Sequence, residues 1–166
     1  MKKILSVLVL LVIFTTGTAF AQNVHPGGLG IGVMWGGHLD DGFTGNEGAA
    51  LSLKLPNNPF FWGVSVNKGP TIGVQGDRYF FGSKLIPTLG WYLGLGGYGS
   101  IYLGDIAALE FGLRAPLGLT FQPIDLLEIF VTLAPSLGIS IITGDDGDID
   151  FPHFRWPVEI GIRIWL

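Results

Sequence analysis

The chain has 166 residues, a formal charge of −4, no cysteine, and 48% hydrophobic against only 13% charged residues, with 27 glycines. This excludes a disulfide framework and a thiol-linked lipid anchor, and the acidity argues against nucleic acid or an anionic surface as partner. No stretch beyond residue 21 reaches the roughly 18 consecutive apolar residues of a membrane helix.

Residues 1–21 read as a secretory signal peptide. Lys2 and Lys3 precede an apolar run from Ile4 to Phe14, and Thr18-Ala19-Phe20-Ala21 forms a small-residue cleavage pattern before Gln22. Its removal lowers the formal charge from −4 to −6 and leaves one domain over 22–166. His25 is expected in a flexible segment ahead of the first strand.

Glycine and proline punctuation divides the remainder into eight alternating runs. The first, 29–38, sets Leu29, Ile31, Val33 and Trp35 against Gly30, Gly32, Met34 and Gly36. A polar loop at 40–46 leads to the second, 47–55, with Leu51, Leu53 and Leu55 opposite Ala50, Ser52 and Lys54. After the turn Pro56-Asn57-Asn58-Pro59, the third run, 60–67, alternates Phe60, Trp62, Val64 and Val66 with Phe61, Gly63 and Ser65. In the fourth, 74–85, Tyr79 and Phe81 are expected outward and Arg78, Gly82 and Lys84 inward, with Phe80 breaking the pattern. The fifth, 89–103, opposes Trp91, Leu93, Leu95 and Ile101 to Tyr92, Gly94, Gly96, Tyr98 and Tyr102. The sixth, 107–121, opposes Leu109, Phe111, Leu113, Leu117, Leu119 and Phe121 to Glu110, Gly112, Arg114 and Gly118. The seventh is 127–141.

The last run, 158–166, reads V-E-I-G-I-R-I-W-L. Alternate side chains of a strand point to opposite faces, so Val158, Ile160, Ile162, Ile164 and Leu166 make one wholly aliphatic face. Glu159 and Arg163 stand on the other. Lipid outside and a polar interior suit that pattern.

A bilayer admits only helices and closed barrels, so an exported, apolar chain without a spanning helix predicts an all-β, eight-stranded antiparallel up-and-down transmembrane barrel. The turns after residues 55, 85 and 121 are short, and the connections at 40–46, 67–73 and 143–155 are longer and polar. This is the expected asymmetry of periplasmic turns and outer loops. Aromatic residues gather near run ends, with Trp62, Trp91 and Phe121 at the turn side and Trp35, Tyr102 and Trp156 at the outer side. Tyr92, Phe61 and Trp165 join the turn-side group. Two belts at the lipid–water boundaries are expected.

On these features the chain resembles small eight-stranded outer-membrane barrels of the OmpA membrane-domain, OmpX and OmpW kind. More loosely, it is similar to small barrel proteins of spirochaetes. The resemblance covers the whole mature chain and implies outer-membrane localisation, a monomer in contact with membrane lipid, and recognition of the strand 158–166 by the barrel-assembly machinery. That terminal signal usually ends in an aromatic residue, whereas here Trp165 is followed by Leu166.

The charges on the polar parity, Lys54, Arg78, Glu110, Arg114, Glu128, Glu159 and Arg163, are expected to form a network inside a barrel just wide enough for side chains. Glu110 and Arg114 lie four apart on one run, and Glu159 and Arg163 on another, so a carboxylate layer and a guanidinium layer are expected. The functional alternatives are a static scaffold with a surface role, a narrow pore or carrier of a small hydrophobic ligand, and a soluble periplasmic lipid-binding barrel. Enzymatic activity is not expected: His153 is followed by Phe154 and Arg155, not by the serine of a His-x-Ser pair, and His38, Asp40 and Asp41 lack a nearby serine. The acidic run 145–150 lacks EF-hand spacing and reads as a solvated outer loop, so neither a metal nor a cofactor is expected.

Overall fold

A computed structural model describes residues 24–39, 48–67, 70–104, 107–143 and 147–166. The expected signal peptide 1–21, the expected polar loop 40–46, and Asp145 and Asp146 lie outside the described residues. The strands are β1 (Gly30–His38), β2 (Gly48–Lys54), β3 (Phe60–Asn67), β4 (Thr71–Ile86), β5 (Leu89–Leu103), β6 (Ala107–Arg114), β7 (Leu117–Ile124), β8 (Leu127–Leu133), β9 (Ser136–Ile142), β10 (Asp148–Arg155) and β11 (Pro157–Trp165). All pairings are antiparallel, and no described residue is helical. β1 bonds both β2 and β11, while β5 bonds β7 along its first half and β6 along its second. The sheet therefore closes on itself as a barrel.

Eleven segments make eight barrel strands, because β6 runs on into β7, β8 into β9 and β10 into β11 across short breaks. The sequence reason is proline, which has no N–H to give to a ladder. Pro116 and Pro135 fall in two of the breaks, and Pro157 follows the third. The breaks lie side by side: Gly94 N–H donates to Pro116 O at 2.8 Å, Ala115 to Pro135 O at 2.9 Å, and Ala134 to Pro157 O at 2.9 Å. This seam continues into β4, whose register slips between Tyr79 and Phe81 opposite Gly94 and Leu93.

The slip corrects one expectation. A bulge inserts one residue and shifts side-chain parity. Beyond Phe80 the parity is as expected, but before it the faces are exchanged. Tyr79 packs inside against Tyr92, with ring centroids 4.3 Å apart, and Arg78 pairs in register with Phe60 and Leu95 on the outer surface. A second correction concerns residues 148–155, expected in an outer loop. They form β10 on β9, with a register shift between Asp150 and His153 that accommodates Pro152.

The outer surface is apolar around the whole ring. Val33, Leu51, Val66, Val74, Ile101, Leu113, Leu137 and Ile162, one from each barrel strand, are all exposed, Leu113 by 72%. Buried polar side chains, among them Ser52, Asp77, Arg114, Thr120, Glu128, Thr132, Glu159 and Arg163, face the interior. The barrel is apolar outside, and its buried polar and charged side chains lie inside.

Candidate functional site

Large inward residues fill the turn-side half of the lumen. Phe61, Tyr79, Tyr92, Phe130 and Trp165 come from β3, β4, β5, β8 and β11, and Glu128 sits among them fully buried. A buried carboxylate needs every lone pair engaged. Arg163 Nη1 and Trp165 Nε1 each donate to Glu128 Oε2 at 2.8 Å, and Thr120 donates to Oε1 at 2.8 Å. His25 Nδ1 lies 2.6 Å from the same Oε1. The His25 ring is boxed by Phe61 at 4.8 Å, Tyr92 at 5.2 Å and Tyr79 at 5.3 Å between centroids. His25 is thus a plug in the barrel's end and not part of a free leader segment. Gln122 Nε2 anchors the preceding residue by donating to Val24 O at 2.8 Å.

Across the middle lies a second layer. Arg114 grips Glu159 with both terminal nitrogens, Nη1 to Oε1 at 2.8 Å and Nη2 to Oε2 at 3.0 Å, a bidentate pairing that suits a planar guanidinium. Its Nε stands 3.1 Å from Asp77 Oδ1, and Nη1 also donates to Gln75 Oε1 at 2.6 Å. Gln75 Nε2 completes the layer by donating to Glu159 Oε1 at 3.0 Å.

Above this floor the inward residues are small: Ala50, Ser65, Gly73, Ser100, Ala108, Ser136 and Ser140. They leave a cavity of ≈ 320 Å³ whose lining includes Glu110, Tyr98, Tyr102, His38 and Arg155. Near the mouth, Arg155 Nη2 pairs with Glu110 Oε2 at 3.1 Å, and Tyr98 OH donates to Glu110 Oε1 at 2.9 Å. Arg155 Nε also donates to His153 Nε2 at 2.7 Å, while His153 Nδ1 lies 2.5 Å from Asp150 Oδ2. Both imidazole nitrogens of His153 are engaged. Among the described residues, no group of three His, Asp or Glu is arranged to hold a metal ion.

Of the seven charges expected inside, Glu110, Arg114, Glu128, Glu159 and Arg163 lie in the lumen with charged partners. The expected layers do not form. Arg114 pairs with Glu159 and Asp77, Arg163 with Glu128, and Glu110 with Arg155. Strand tilt is the cause: in a sheared barrel, residues at one height are not those at one ordinal along neighbouring strands. Lys54 stands at the turn end, donating to Leu55 O at 2.9 Å and to Asn58 O, and it makes no ion pair among the described residues. Arg78 is outside.

Among the belt aromatics, Trp35, Trp62, Phe121 and Trp156 are exposed and Trp91 is half-buried. Tyr102 lines the cavity, and Phe61, Tyr92 and Trp165 fill the lumen instead of a belt. Asp77, Gln75, His25 and Arg155 are the residues that sequence reasoning missed. Asp77-Arg78 carried a usable signal. One of two adjacent strand residues must face out, and the longer arginine can carry its charge back toward a polar region where aspartate cannot.

Neither protein-family models, nor curated proteins, nor solved structures gave a match to this chain.

Proposed function

We propose that the protein is an integral outer-membrane barrel with a structural or surface-interaction role, plugged at its periplasmic end and open as a shallow polar cup outside. The observation that carries this reading is the ring of exposed aliphatic side chains contributed by every barrel strand. A soluble protein rarely exposes contiguous apolar surface on that scale, and a lipocalin-like carrier has the reverse polarity, with its apolar face within. The scaffold reading is favoured over a pore by two packed layers in series, the Glu128 cluster with its aromatic rings and the Arg114 layer. The polar wall of the cup disfavours a carrier of hydrophobic ligands.

Fractionation and single-channel recording test both levels. The protein should resist salt extraction, migrate with heat-modifiable mobility in detergent, and pass no current in a planar bilayer. Recovery from the soluble periplasm would refute the membrane reading, and a steady unitary conductance would refute the plugged scaffold.

A further inference from the structure

The outer surface carries one charge that the barrel does not use. Among the described strand residues, Arg78 is the sole charged side chain on the outward parity; the remaining strand carboxylates and cations stand on the inward parity. No carboxylate pairs with it among the described residues. Its guanidinium lies over the Phe80 ring, 5.2 Å from the centroid, which holds the charge against the barrel wall. Its register partners are Phe60 and Leu95, and Phe60 is the first residue after the Pro56–Pro59 turn.

Two residues along β4 from Arg78, at Gly76, begins an apolar groove of ≈ 660 Å³. Gly76 and Gly97 are paired directly across the sheet, and Gly99 is the next outward residue of β5. Trp62 and Val74 wall one side, Phe111 and Leu113 the other. Glycine weakens a strand and is normally explained by a tight backbone approach or a bulge. Neither applies at two of these positions. A Cβ on Gly97 would lie 3.5 Å from its nearest neighbour and one on Gly99 3.7 Å, both ordinary contacts with open space beyond. Side chains are accommodated there, and their absence is what makes the groove.

We propose that Arg78 and this groove bind one anionic phospholipid, with its phosphate on the guanidinium and one acyl chain along β5 between Trp62 and Leu113. The inference rests on the membrane reading above. The occupant follows from charge complementarity: an outward cation without a counter-ion among the described residues calls for an anion, and a planar guanidinium matches phosphate oxygens in a fork. An apolar trough leading from that cation fits the hydrocarbon of the same molecule.

The test uses the full chain refolded into vesicles of phosphatidylcholine alone or mixed with phosphatidylglycerol, then released into detergent for native mass spectrometry. One phosphatidylglycerol per chain should be retained in preference to phosphatidylcholine. Arg78→Gln should reduce that preference at least tenfold, and Arg78→Lys should keep most of it. Gly97→Leu with Gly99→Leu should reduce retention although the charge remains. Heat-modifiable mobility verifies that each variant is folded. Equal retention of both lipids, or variants that retain phosphatidylglycerol like the parent, would overturn the proposal. So would a dimer that the leucine variant converts to monomer with lipid retention unchanged, because the groove would then be a contact between copies. Failure to insert into either vesicle is a separate result that strikes the membrane reading itself and is seen before any lipid is counted.

Discussion

The two halves of this lumen are built on the same strands but solve the interior in opposite ways. On the turn side, Phe61, Tyr79, Tyr92, Phe130 and Trp165 occupy inward positions and close around Arg163, Glu128 and the incoming His25. Toward the outer end, Ser65, Gly73, Ser100, Ser136 and Ser140 hold the equivalent positions, and a cup of ≈ 320 Å³ remains. Both halves contain a carboxylate bound by an arginine. In the filled half the pair is sealed by four donors to one carboxylate, whereas Glu110 and Arg155 stand at an open mouth where water can replace a lost partner. The Arg114 layer divides the two. The same chemical pair is therefore structural below that layer and replaceable above it, and burial alone makes the difference.

The comparison is broken most directly by matched substitutions. Glu128→Ala strips the shared acceptor from Arg163, Trp165, Thr120 and His25 and should destabilise the folded barrel by about 3–5 kcal/mol. Glu110→Ala should cost less, about 1–3 kcal/mol, because its pair with Arg155 is only partly buried and open to water on one side. Urea unfolding in detergent or lipid reads both, and equal losses would mean that the cup is as sealed as the plug.

Arg114→Ala should also cost about 3–5 kcal/mol, because it leaves Asp77 and Glu159 buried together without a cation. Adding Glu159→Ala should recover part of that loss in the same measurement. Adding Glu110→Ala should recover none, since Glu110 belongs to Arg155. Rescue by Glu110→Ala would show that the interior pairs differently.

Leu113→Arg puts a charge on the outer wall at its most exposed point and should cost about 2–4 kcal/mol if that point lies near the bilayer midplane. Insertion yield into vesicles checks this, and normal yield would mean that the wall does not face lipid.

Smaller effects separate the halves by packing. A Cβ on Gly118 would meet the Tyr92 ring at 2.2 Å, so Gly118→Ala should cost about 1–3 kcal/mol by overpacking. Ser100→Ala, on the wall of the cup, should stay within about 0.5 kcal/mol of the parent. Thermal midpoints in one detergent would reveal the contrast.

Much of this architecture was legible in the chain. Period-two alternation with glycine and proline punctuation marked eight barrel strands and, through 158–166, the apolar and polar faces, because strand periodicity is a local property that residue order records directly. It also identified Glu110, Arg114, Glu128, Glu159 and Arg163 as interior charges. What alternation could not give was the phase on both sides of Phe80, where one bulged residue turns Tyr79 inward and Arg78 outward. Nor could it give partners across the lumen, since Arg114 reaches Glu159 only through the tilt and shear that closure imposes. The entry of His25 is likewise a tertiary result: no local pattern marks an imidazole ahead of the first strand, and its place depends on a ring of aromatics and a carboxylate drawn from distant strands. Local periodicity sets which face a residue occupies, and closure of the barrel decides whom it meets there.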